Sequence, residues 1–191
     1  MADKKWDGKI MKTPAGRLSF CSILETRDTE LGPKYETNLL VPPGPKGVDS
    51  PELAEIRKEL QRAFDFEFGK DPAKWPKNVR KPDDVIKDAE ENAKYAGYEK
   101  GWLFFAARCD AASPPQVVDA VRQEVKDPME VYPGRWARLA VRPYPYNNKS
   151  KGVSLALVHV QLLRHDTRLA GPPPAKDIFD DMAEEMDDDD I

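Results

Sequence analysis

Cysteine and histidine are scarce, with two of each in 191 residues. Cys21 and Cys109 stand far apart and form no CxxC pair. A zinc site needs four soft ligands in close groups, so no metal centre is expected. Two reduced thiols in a cytoplasmic protein is the plainer reading. No apolar run reaches the roughly 18 residues of a membrane span. The opening MADKKWDGKIMK has no apolar signal-peptide core, so neither membrane nor export is expected. P-loop, HExxH and GxSxG motifs are all missing. His159 lies in the apolar run ALVHVQLL and is expected as a core histidine, and His165 adjoins Asp166 without a nucleophile nearby. Outside the C-terminal stretch the carboxylates sit in polar segments beside lysines. No catalytic residue, cofactor or metal ligand emerges, and the chain does not read as an enzyme.

Proline is plentiful (18), as are charged residues (34%), while the 40% hydrophobic fraction suffices for one core at this length. The net charge of −4 hides a split. Residues 177–191, DIFDDMAEEMDDDDI, hold nine acids and no base, which leaves 25 acids against 30 bases in residues 1–176. A body of charge +5 therefore carries a concentrated acidic end. From Gly171 onward, proline and then acid dominate, and such a segment buries too little apolar area to offset its ordering entropy. The expected organisation is one domain over 1–171 and a disordered acidic tail over 172–191.

Strand signals fall at Gly16–Glu25, Lys34–Val41, Gly101–Arg108, Arg135–Tyr144 and Val153–Leu163, the last two forming a hairpin around Asn147–Gly152. The strongest helix signal starts with Ser50 as N-cap and Pro51 in the first turn. It continues with Leu53, Ile56, Leu60 and Phe64 on one face and stops near Gly69. Residues 70–84 read as a Pro-rich basic loop and 83–94 as a short polar helix. The fold class is β-rich (α+β): five strands in a small barrel or open sheet, the OB-fold among the options, with the main helix between strands 2 and 3.

Side chains alternate along a strand. In Arg135–Tyr144, Ala137, Leu139 and Val141 share a core face, while Trp136, Arg138, Arg142 and Tyr144 share the other. Rings beside guanidinium groups suit a polyanion with exposed bases: rings stack on bases and arginines meet phosphates. Every base has a π face, so such a surface needs no sequence preference. Tyr146, Lys149 and Lys151 extend it at the hairpin tip. The bland alternative is an arginine pair lying along a surface tryptophan. A second basic patch, with Trp75, Lys77, Arg80 and Lys81, reads equally as a backbone clamp or as a solvated charge run. Tyr98 and Trp102, with Tyr95, form a third aromatic group. In the strand at 101–108, Leu103 and Phe105 are favoured for the core over Trp102 and Phe104.

The acidic end, tethered to a basic body, has a high effective concentration at that face and can occupy it in place of phosphates. Its apolar residues, Phe179 and Ile191 among them, also suit an amphipathic motif read by protein partners.

Several segments in order resemble the phage-encoded single-stranded DNA-binding proteins with an OB-fold. They are GRLSF at Gly16–Phe20, YAGY at Tyr95–Tyr98, PPQVVD at Pro114–Asp119 and YPG at Tyr132–Gly134. KGVSLALVHVQLL at Lys151–Leu163 and RLAG at Arg168–Gly171 complete the set, and Phe179 also fits. The resemblance covers most of residues 14–180. It implies non-catalytic coating of single strands in replication, recombination or repair, in the cytoplasm of a bacterial host. It also implies a tail, with Asp187, Asp188, Asp189, Asp190 and Ile191 at its end, that regulates DNA access and recruits replication proteins. In many such proteins the tail ends in an aromatic residue; here it ends DDDDI, so either Ile191 or Phe179 would be the residue a partner grips. Segment 70–94 does not match the family pattern. A homodimer is left open, and a protein-interaction adaptor with a solubilising tail is the alternative reading.

Overall fold

The computed structural model describes residues 5–171 and 178. The tail positions singled out above, Phe179 and Asp187 to Ile191, lie outside the described residues. The chain forms β1 (Met11–Lys12), β2 (Gly16–Thr29), β3 (Gly32–Val41), α1 (Pro51–Phe68), β4 (Lys87–Asp88), β5 (Leu103–Asp110), β6 (Gln116–Val118), β7 (Trp136–Asn147) and β8 (Lys151–Leu162). The ladder runs β2–β3–β5–β8–β7, and β7 returns to β2 through Gly16↔Ala137 and Arg17↔Trp136. The pair β5–β8 is parallel; the other long-strand pairs are antiparallel. Short β1, β4 and β6 pair with β7, β5 and β8.

Three short strands, β1, β4 and β6, were not foreseen. Two or three residues carry too little alternation to stand out. Because β1 precedes β2, the helix follows the third strand in chain order rather than the second. The polar helix expected over 83–94 is instead a 3₁₀ turn at Pro82–Asp84, then β4, then a second 3₁₀ turn at Ala89–Asn92. Pairing of Lys87 and Asp88 with β5 wins over a weak helical preference.

Helix α1 follows its sequence. Ser50 Oγ accepts a hydrogen bond from Leu53 N (3.3 Å), Pro51 takes the first turn, and Gly69 ends the helix at φ 72°. Leu53, Ile56, Leu60 and Phe64 are fully buried against β7 and β8. Each such side chain contributes about 1.5–3 kcal/mol. Facing them from the sheet are Leu139, Val141, Leu155, Leu157 and Phe105.

In β8 the register slips by one residue between Ala140↔His159 and Val141↔Leu157, which marks a bulge at Val158. Leu162 and Val160 point inward on one side of it, Leu157, Leu155 and Val153 on the other. The bulge reverses the parity of the strand, so His159, expected in the core, is exposed instead. Its Nδ1 accepts from Gln116 N (3.2 Å).

A smaller apolar cluster, Leu40, Ala89, Tyr98 and Phe104, covers part of the outer face of β3 and β5, with Trp102 and Leu169 at its rim. Leu103 and Phe105 belong to the main core, as favoured from sequence, and Phe104 is covered from outside by Tyr98. Both cysteines are free, and burial pushes the Cys21 thiol up to about 12, which leaves it protonated and unreactive.

Candidate nucleic-acid interface

Strand β7 alternates as its sequence requires. Ala137, Leu139, Val141 and Pro143 are buried, while Trp136, Arg138, Arg142 and Tyr144 lie on the outer face. Their surroundings divide the strand into two ends.

At the first end Trp136 is held in a polar frame. Its indole N–H donates to Asp166 Oδ2 (2.6 Å), the Arg164 guanidinium lies 4.2 Å from its ring, and Trp102 tilts towards it at 6.4 Å. The Trp136 bond, followed by one from Thr167 N, draws the Asp166 carboxyl down to about 2. Arg138 donates to Thr13 O (3.0 Å) and pairs with Glu52 of α1 at 3.7 Å.

The second end opens into a groove of about 790 Å³, lined by Trp6, Lys34, Arg108, Arg142, Tyr144 and His159 among others. Arg108 of β5 is opposite Ala156 of β8, and Ala156 is opposite Arg142 of β7. With strands roughly 4.8 Å apart, the two arginine backbones are about 10 Å apart, and only a methyl group stands between their side chains. Both arginines are exposed. Lys34 pairs with Asp110 across β3 and β5. Tyr144 leans on Tyr146 at 6.1 Å, and Lys149 and Lys151 are exposed at the hairpin tip. Trp6 closes one side, donating to Pro143 O (2.9 Å).

The basic loop joins this end through its backbone. Arg80 N donates to Lys151 O and Arg80 O accepts from Val153 N, so the loop docks alongside β8 at Gly152. Gly152 is required here: a Cβ would stand 2.6 Å from that of Arg80. The Arg80 guanidinium reaches Ser154 Oγ at 3.4 Å. Trp75 packs edge-on against Phe64 at 5.0 Å and donates to Gly69 O (2.9 Å), which ties the loop to α1. Lys81 lies 5.7 Å from the Trp75 ring and Lys77 is exposed. Tyr98 is buried, 3% exposed; its hydroxyl accepts from Asn38 Nδ2 (2.8 Å) and donates to Ser19 Oγ (3.4 Å).

Three groove residues escaped the sequence reading: Trp6, Lys34 and Arg108. Arg108 carried a signal, since it shares strand parity with Phe104 and Ala106. Nothing local marks Trp6, whose partner lies 137 residues away. Among the described residues, no cluster of three or more His, Cys, Asp or Glu could hold a metal ion. None of their helices is long and apolar enough to cross a membrane.

A β-rich sheet with a single α-helix among the described residues is the architecture of the phage single-stranded DNA-binding proteins. The Enterobacter phage Enc34 protein in complex with ssDNA matches with a TM-score of 0.67 at 22% identity, over 88% of this chain and 97% of that one. Another structure of the Enc34 protein matches at 0.63 and 20% identity, over 97% of each chain. The gp2.5 protein of bacteriophage T7 matches at 0.56 and 18% identity, over 97% of this chain and 98% of that one. The chain belongs to the family of the Enterobacter phage Enc34 ssDNA-binding protein, whose model matches residues 9–191. No curated protein sequence matches it significantly.

Proposed function

We propose that this chain binds single-stranded DNA without sequence preference, on an OB-type barrel closed by the five long strands. The observation that carries the reading is the row Arg108–Ala156–Arg142 beside Tyr144. Two exposed guanidinium groups flank a gap wide enough for a sugar-phosphate chain, with a ring alongside for a base. Family membership supports the choice of ligand, since a solved relative is itself a complex with ssDNA. Tyr146, Lys149 and Lys151 lengthen the strip, and Trp136 and Arg138 hold the far end of β7 to its neighbours.

In this reading the protein coats single strands in phage replication, recombination or repair in the host cytoplasm, and catalyses nothing. Residues 172–191 form a tail that competes with DNA for the strip and recruits partners through Phe179 or Ile191.

Fluorescence anisotropy with labelled single- and double-stranded oligonucleotides, across a salt series, tests the proposal. The expected result is tighter binding of the single strand, weakening steeply with salt as counterions are released. Absence of single-strand binding at low salt refutes it and leaves a protein-interaction adaptor as the better reading.

A further inference from the structure

Residues 5–10 form no strand, yet they lie across one end of the sheet. β1 covers the edge of β7 only at Ala140 and Val141. Beyond it the edge continues through Pro143 and Pro145, which have no N–H to offer. The indole N–H of Trp6 takes the carbonyl of Pro143 at 2.9 Å. From the other side α1 grips the same segment. The Arg62 guanidinium lies 4.3 Å from the Trp6 ring and donates to Asp7 O (2.9 Å), and Phe66 meets the ring edge to face at 5.3 Å. Buried Glu59 fixes that guanidinium by accepting from its Nε (2.9 Å). Gly8 lets this strap pass so close: a Cβ there would collide with Trp6 Nε1 and stand 2.7 Å from Pro143 O. Residues 5–8 stand ahead of residues 9–191, the part that the family's model matches.

Trp6 and Asp7 line two grooves at once. One is the Arg108–Arg142 groove of about 790 Å³; the other, of about 910 Å³, runs along α1 past Lys58, Arg62 and Lys70. The strap is the partition between them. The opposite wall of the Arg108–Arg142 groove is the β2–β3 turn at Leu31, together with Pro114. Between the walls the floor spans β3, β5, β8 and β7, three strand spacings or roughly 14 Å. One sugar-phosphate chain fits that width. A B-form duplex has its backbones about 12 Å apart across the major groove, and with the backbones themselves it exceeds the floor.

We propose that Trp6 is a specificity-determining residue that restricts the Arg108–Arg142 groove to one DNA strand. The inference rests on the single-strand reading above and deepens it. Trp6 stands where a paired second strand has to lie, so it acts against the duplex by steric conflict. With the indole gone, the two grooves join into one broad surface edged by Lys58, Arg62 and Lys70, and a duplex reaches those cations.

The test compares the full-length wild type with W6A and G8A on labelled oligo-dT of about 20 nucleotides and on a mixed-sequence duplex of the same length. Affinities are read by anisotropy well below each variant's thermal midpoint. G8A keeps the ring but drives it off Pro143, so it carries the test if W6A does not fold. The ratio of single-strand to duplex affinity is expected to fall roughly tenfold or more in both variants, mainly through tighter duplex binding. An unchanged ratio overturns the role of Trp6 and leaves the groove reading intact. Equal losses on both ligands that track a lower melting temperature also overturn it, since the ring would then be structural. So does a wild type that binds the duplex as tightly as the single strand. A wild-type chain that binds no single strand overturns both readings.

Discussion

Arg108 and Arg142 reach the same outer face with only Ala156 between them. The two residues come from strands that are not paired with each other, and β8 brings them together through one parallel and one antiparallel ladder. If both meet phosphates of a single strand, each accounts for about 0.7 in the slope of log affinity against log salt concentration. R108A and R142A should each flatten the slope by about that amount, and the double variant by about 1.4. Anisotropy titrations at four or more salt concentrations measure it, and an unchanged slope in the double variant removes these residues from the interface.

Deleting residues 177–191 removes nine acids and no base. If the tail competes for the strip, the truncated chain should bind ssDNA more tightly, with the largest gain at low salt where exposed charges are least screened. Equal affinity of the two forms at low salt would dismiss the competition.

The Trp136–Asp166 bond predicts an acid-side stability effect. The Asp166 carboxyl sits at about 2, below the ordinary 3.8, because the indole N–H and then the Thr167 amide stabilise its charged form. A depressed carboxylate contributes stability that is present above its unfolded value and is lost as pH falls through the folded one. Wild type should therefore melt higher than D166N above pH 4, and the gap should close as pH falls towards about 2. Thermal melts at stepped pH read this directly; a gap that stays constant with pH would mean that the charge plays no part.

Tyr98 and Trp75 are expected to act through stability. Y98F leaves Asn38 Nδ2 without its acceptor under a buried ring, at a cost of about 1–2 kcal/mol, or roughly 2–8 °C in Tm. W75A opens a space against Phe64 and frees the loop from Gly69, with a loss of about 3 kcal/mol. Differential scanning calorimetry measures both, and wild-type melting of W75A would mean that the ring packs nothing.

Local patterns with a strict period determined much of this protein. Alternation in β7 assigned Ala137, Leu139 and Val141 to the core and Arg142 and Tyr144 to the outside, because a pleated strand leaves each side chain one face. Ser50, Pro51 and the Leu53–Phe64 stripe determined α1, because capping and the 3.6-residue repeat are short-range. The division into a basic body and an acidic end needed only a count of charges. Tertiary structure alone decided three things. The bulge at Val158 put His159 outside, a parity change that no residue of β8 announces. Parallel pairing of β5 with β8 set Arg108 across Ala156 from Arg142, a placement fixed by ladder register across 33 intervening positions. The slip in β2 between Ser19 and Ser22 turned Phe20 outward to meet Tyr95. In each case the deciding interaction joins segments distant in the chain, and a local pattern carries no record of which distant strand will supply its partner.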